Sequence, residues 1–180
     1  MIFKIILFIF SFNFIAFSQN VFFSDQTKEQ NINFKHYNGE TGEKFYTESV
    51  GAGCCVLDYN NDGYVDIFFV QGNSHKSKIE SMETSNILFQ NNNKDFINVT
   101  DDAGLINYDY GIGCAIADYN NDGFDDIFVS NYGTDILYKN LGNGKFKDVT
   151  EISGIKNNLW SSSATFFDYD KDGFLDLYIT

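Results

Sequence analysis

The sequence has no proline, one tryptophan, two histidines and three cysteines among its 180 residues. Without proline, no part of it reads as a polyproline segment or a proline-stiffened linker. Lys and Arg together number 12 against 25 Asp and Glu, a formal charge of −13. That balance argues against a nucleic-acid partner, which requires a basic face. His36 and His75 are isolated, with no Ser, Cys or second His at catalytic or zinc-ligand spacing, and both are expected in exposed loops. An odd cysteine count leaves at least one thiol free. Cys54, Cys55 and Cys114 are read as small buried side chains rather than as a bridge or a metal site. Disorder does not explain the acidity, because aromatic residues make up 18% of the chain, with 20 Phe and 11 Tyr.

The one long hydrophobic run lies at the start. In "MIFKIILFIFSFNFIAFS", Lys4 precedes an apolar stretch from Ile5 to Phe17, and Ala16 and Ser18 place small residues just before Gln19. A spanning helix needs about 20 apolar residues. Residues 1–18 therefore read as a signal peptide, with no membrane span left after cleavage. The expected location is secreted, periplasmic or at the cell surface.

Beyond the leader the chain repeats itself. "GAGCCVLDYNNDGYVDIFFV" (51–70) returns as "GIGCAIADYNNDGFDDIFVS" (111–130) and, less closely, as "SSSATFFDYDKDGFLDLYIT" (161–180). "NILFQNNNKDFINVTDDAGL" (86–105) returns as "DILYKNLGNGKFKDVTEISGI" (135–155). Each full unit contains four short aromatic or β-branched runs bounded by Gly, Asn or Asp, exemplified by 52–57, 65–70, 86–90 and 95–99. "GNGK" (142–145) is a hairpin turn that calls for positive φ. Four strands recurring every 50 to 60 residues are the pattern of a β-propeller blade, so the predicted fold is all-β. Glycines 51, 53, 111 and 113 let inner strands crowd an axis, and Cys54 and Cys114 are given the same packing role.

The units divide the chain into blades at 51–105 and 106–155 and an incomplete one at 156–180, preceded by a segment at 19–50. Phe23, Thr27 and Ile32 repeat the spacing of Phe96, Thr100 and Leu105, which predicts a lone fourth strand near 22–27 of the kind that closes a ring. Seven such units would need about 350 to 420 residues, so the chain is expected to be part of a longer propeller. The connector at 71–85 is the main departure between repeats and the expected seat of specificity. Asn98-Val99-Thr100 fits a glycosylation acceptor, but Asp25 and Asp148 hold the same repeat position, so a structural role is expected. Trp160 is assigned to packing.

Each repeat opens on an acidic turn. Positions 1, 3, 5 and 9 are Asp58, Asn60, Asp62 and Asp66 in the first copy; Asp118, Asn120, Asp122 and Asp126 in the second; and Asp168, Asp170, Asp172 and Asp176 in the third. Glycine at position 6 permits the left-handed backbone that continues the curl. The carbonyls of position 7, at Tyr64, Phe124 and Phe174, can join the shell. Hard oxygen donors in that number suit Ca²⁺ at about 2.3–2.6 Å. One copy alone reads equally as a polar hairpin turn; three copies in register favour the ion. This is not an EF-hand, because the twelfth position holds Phe69, Val129 and Ile179 in place of a bidentate Glu.

The pattern Asp-x-Asn/Asp-x-Asp-Gly-x-x-Asp after a Gly-rich strand resembles the FG-GAP or VCBS repeat of integrin-α-type propellers. "INFKHYNGETGEKFYTESVGAGCCVLDYNNDGYVDIFFVQG" and "LYKNLGNGKFKDVTEISGI" resemble bacterial relatives of cartilage acidic protein, over about residues 22–180. The third inner strand departs, with "SSSA" in place of the Gly-rich run. The resemblance implies a seven-bladed propeller with calcium in each first-to-second-strand turn, and in many relatives a following ASPIC/UnbV domain. The expected function is an exported binding module for a protein or glycan, with structural calcium and no catalysis. The alternative is part of a calcium-dependent polysaccharide lyase, which would need a base converging on a groove.

Overall fold

The computed structural model describes residues 23–180. The expected signal peptide (1–18) and residue 22 of the expected closing strand lie outside the described residues. Three antiparallel sheets follow one another along the chain. The first orders β1 (Cys54–Leu57), β2 (Asp66–Phe69), β3 (Ile87–Asn91) and β4 (Phe96–Asn98) side by side. The second repeats that order with β5 (Tyr110–Ala117), β6 (Asp126–Tyr132), β7 (Ile136–Asn140) and β8 (Phe146–Asp148). A hairpin of β9 (Ala164–Phe167) and β10 (Asp176–Ile179) makes the third. The fold is all-β, with two four-stranded sheets of the propeller-blade type. The four strands expected in the first unit are each present within two residues of their predicted bounds, whereas the lone strand expected near 22–27 forms no strand over its described residues.

The sheets pack face to face because side chains alternate along each strand. On β6, Ile127 and Val129 join Leu57, Phe68, Val70 and Leu88 of the first sheet in one core, whereas Phe128 turns to Phe166 and Leu177 of the third. β6 thus serves two cores, and Ile127, Phe128 and Val129 are all fully buried. The inner strands meet at their glycines. Gly53 donates its N–H to the Ile112 carbonyl at 2.9 Å, and a Cβ on Gly53 would lie 3.1 Å from the Gly113 Cα.

The cysteine reading is corrected by the structure. Cys55 and Cys114 form a disulfide between β1 and β5, with Cα atoms 6.2 Å apart, and Cys54 is an exposed free thiol. The physical reason is strand alternation. Cys54 and Cys55 point to opposite faces, and a bulge between Gly111 and Gly113 shifts the register of β5. The bond therefore joins repeat positions that do not correspond. Disulfides persist in oxidising compartments, which agrees with export. Among the described residues no helix is long and apolar enough to cross a membrane.

A short helical turn follows each fourth strand: α1 (Thr100–Ala103) and α2 (Thr150–Ser153), stopped by Gly104 and Gly154 at φ 75° and 79°. Asn98 Oδ1 accepts from the Thr100 N–H (3.0 Å) and hydroxyl (2.6 Å), and Asp148 does the same for Thr150 at 2.9 and 2.6 Å. The threonine Oγ1 in turn accepts the N–H of Leu88 or Leu137 from the third strand. The structural role expected for Asn98 is therefore visible. Asn98→Ala should cost about 1 kcal/mol, read as a lower urea midpoint, while Asn98→Asp should be close to neutral. Near the N-terminus, Asp25 caps Thr27 (3.0 Å), Ile32 donates to the Thr27 carbonyl (2.9 Å), and Asn31 has φ 57°. Those are the bonds of α1 and α2, made at the spacing read from the sequence. Residues 23–26 themselves lie outside any sheet.

Candidate metal centre

Each acidic loop joins the first two strands of its sheet and curls around the side chain at position 1. Asp58 accepts the N–H groups of Asp62 (3.0 Å) and Gly63 (2.8 Å). Asp118 accepts those of Asp122 (2.9 Å) and Gly123 (2.7 Å), and Asp168 those of Asp172 (3.1 Å) and Gly173 (3.0 Å). The position-6 glycines sit at φ 87°, 88° and 91°, as the sequence required. Position 4 is also left-handed, at Asn61 (56°), Asn121 (58°) and Lys171 (66°), which the sequence reading missed. Its signal was an asparagine at that position in two of the copies, because Asn tolerates positive φ better than most residues.

Position 9 anchors the loop to the sheet. Asp66 accepts from the Tyr59 N–H (3.0 Å) and, at its other oxygen, from the Asn91 N–H (2.8 Å). Asp126 accepts from Tyr119 (3.3 Å) and Asn140 (2.7 Å), and Asp176 from Tyr169 (2.9 Å). Asp66 and Asp126 are fully buried. Burial pushes the Asp66 carboxyl up to about 6, the backbone N–H bonds oppose it, and the charges of Asp62 and Asp58 add to it. Burial acts in the same way on Asp126, raised to about 6 with Asp122 and Asp118 as its acidic neighbours.

In the third loop position 3 is also an aspartate. One carboxylate oxygen each from Asp168, Asp170 and Asp176 lies within 4.8 Å of the other two. Among the described residues none of these three aspartates is in an ion pair. Asp172, at position 5, is turned to the Phe174 N–H (2.8 Å) and stands outside this trio. In the first two loops position 3 is an asparagine whose carboxamide donates to an aspartate of the same loop. Asn60 Nδ2 donates to Asp62 (2.9 Å), and Asn120 Nδ2 to Asp126 (3.2 Å). Asp122 forms a 3.0 Å ion pair with Lys139, whose hydrogen bond holds its carboxyl below the usual range. Tyr64, Phe124 and Phe174 lie at the expected seventh positions, each donating its N–H to the position-5 aspartate.

The donor set is oxygen throughout, with no imidazole or sulfur, which fits a hard cation and not zinc or copper. Three converging carboxylates without a basic partner fit a divalent ion at the third loop. The first two loops carry the same side chains in the same curl, with Asn at position 3 in place of Asp170.

At the opposite end of the sheets, rings from separate segments converge. His75 lies against Phe45 (5.0 Å between centroids), Tyr110 (4.8 Å) and Tyr132 (4.9 Å), and Trp160 contacts Tyr132 (6.0 Å) and Tyr46 (5.5 Å). His75 is thus not an exposed loop residue. Its Nε2 is hydrogen-bonded to the buried Thr47 hydroxyl, and the imidazole pins the 71–85 connector to the segment before β1. His36 is exposed, as expected. Trp160 packs as expected too, although its buried Nε1 has no hydrogen-bond partner among the described residues.

Successive four-stranded antiparallel units, each opening on an acidic glycine-turned loop, define a β-repeat protein with a candidate cation site at one end of every unit. The chain belongs to the FG-GAP-like repeat family, which matches residues 58–129 and again 118–179. No curated protein matches the chain.

Proposed function

We propose that the chain is an exported, calcium-stabilised binding module of a seven-bladed propeller. In this reading Ca²⁺ sits in the loops at 58–66, 118–126 and 168–176, and a protein or glycan ligand is held at the opposite end. The resemblance to cartilage acidic protein relatives, many of which carry an ASPIC/UnbV domain, supports this reading. The calcium is structural: it offsets gathered carboxylates and takes no part in chemistry on a ligand.

The observation that carries the binding role is the ring cluster. Tyr46 is 73% exposed and Tyr132 is 48% exposed. Tyrosine and tryptophan offer an apolar body with a polar tip at low entropic cost, which is why they dominate recognition surfaces. The connector contributes to this face through His75 and exposes residues 76–80, while both its ends are anchored. Gln71, Asn73, Thr84 and Ser85 are buried, and Gln71 alone bonds to the backbone of Lys35, Tyr37 and Glu83. Deleting it would dismantle the first sheet.

His75 lines a cavity with Lys78, Tyr110 and Tyr132, and its Nε2 is taken up by the Thr47 hydroxyl, so we read that cavity as a binding site and not a catalytic one. Ligands are to be sought by glycan array and by protein-interaction screening, with Tyr46→Ala/Tyr132→Ala alongside the parent. The pair should lose at least tenfold in affinity with only a small fall in melting temperature, since Tyr46 is mostly exposed and Tyr132 half so. Equal binding by the pair would remove the cluster as the binding face. Turnover of an acidic polysaccharide would overturn the non-catalytic reading. Trp160, the one tryptophan of the chain, supplies a fluorescence signal at the site.

A further inference from the structure

The three acidic loops are joined to one another. Asn61, at position 4 of the first loop, donates through Nδ2 to the Gly123 carbonyl at position 6 of the second, 3.0 Å away. Asn121 makes the same bond to the Gly173 carbonyl of the third loop at 2.9 Å. The peptide that receives the bond shapes the neighbouring site. Its own N–H, from Phe124 or Phe174, donates to the position-5 aspartate at 3.2 or 2.8 Å. Its next carbonyl is the one expected at position 7. One asparagine therefore fixes, in the next loop, the peptide that orients two of the ligand groups.

The first two loops share a second link. Fully buried Asn140 donates its N–H to Asp126 Oδ1 (2.7 Å) and its Nδ2 to the Tyr59 carbonyl (2.8 Å) at position 2 of the first loop. A ligand carboxylate of one loop and the backbone of its neighbour thus hang on one residue, the first on its backbone N–H and the second on its carboxamide. Asn61 and Asn121 can donate only while position 4 keeps its left-handed conformation, and a cation in the loop holds that curl. Closing one site then presents a donor to the next.

We propose that Asn61, Asn121 and Asn140 are positioning residues that couple the loops, so that calcium binds to adjacent loops with positive cooperativity. The inference rests on the reading of the loops as calcium sites. Coupling through a bond of this kind is reciprocal: filling the second loop strengthens the first as much as the reverse. Lys171, at position 4 of the third loop, has no carboxamide and makes no side-chain hydrogen bond among the described residues.

The test is a calorimetric calcium titration of the full chain. Asn61→Gly with Asn121→Gly removes the carboxamides yet keeps the positive φ, which alanine would strain. The parent should bind with a Hill coefficient above 1. The double variant, in which only Asn140 still links the first two loops, should bind with a Hill coefficient clearly below the parent's and about fivefold weaker final affinity, and Lys171→Gly should behave as the parent. A second arm leaves the asparagines in place. Asp168→Asn with Asp170→Asn disables the third loop, and the remaining sites should weaken by about the same factor. Independent sites in the parent, undiminished cooperativity in the glycine variant, or unaltered affinity in the second arm would each overturn the coupling. No calcium uptake by any form would overturn the calcium reading together with it.

Discussion

Removing calcium should lower the melting temperature by about 20 °C or more. At 1 mM calcium and an affinity of ~10 µM, each site contributes about 2.7 kcal/mol, so three contribute about 8 kcal/mol. A chain of this size loses about 2–4 °C per kcal/mol. The physical origin lies in the carboxylates. Two charges about 4 Å apart repel by about 4 kcal/mol at an effective dielectric near 20, and Asp168, Asp170 and Asp176 have oxygens within 4.8 Å of one another. Scanning calorimetry in calcium and in EDTA measures the shift. Magnesium should restore less of it, because it demands a stricter octahedron and sheds its water reluctantly. An EDTA scan that overlays the calcium scan would contradict the stabilising role.

Breaking the Cys55–Cys114 bond should cost about 4 kcal/mol, the loop entropy of closing roughly 60 residues, and about 10 °C in melting temperature. The bond closes a sequence separation of 59 and ties the inner strands of two sheets where Gly53 already abuts Gly113. Cys55→Ser with Cys114→Ser should melt early with or without reductant. The parent should fall to the same temperature only when reduced. Cys54→Ser should leave the melt unchanged, since that thiol is free and exposed. A thiol assay on the denatured, unreduced parent should find one reactive group per chain; three would show that the bond does not form.

The strands and acidic turns were readable because their information is local. A curl with Asp at position 1 and Gly at position 6 needs no partner beyond its own backbone, and three copies in register separate it from an ordinary polar turn. The unbroken apolar run in "DDIFVS" suits a strand buried on both faces, as Ile127, Phe128 and Val129 are. What escaped the sequence depends on how one unit meets the next. Cys55 reaches Cys114 and not its own repeat counterpart, Ala115, because adjacent inner strands are offset and β5 is bulged. Asn61, Asn121 and Asn140 look like turn and strand-end residues until the neighbouring loop is in place. His75 looks isolated because Phe45, Tyr110 and Tyr132 come from three other parts of the chain.

The measurement that bears most directly on the acidic loops is the number of calcium ions held per chain, counted by equilibrium dialysis against buffered calcium. Three are expected for the parent, and two for Asp168→Asn with Asp170→Asn. No bound calcium, or the same count in both proteins, would contradict the assignment of these loops as calcium sites.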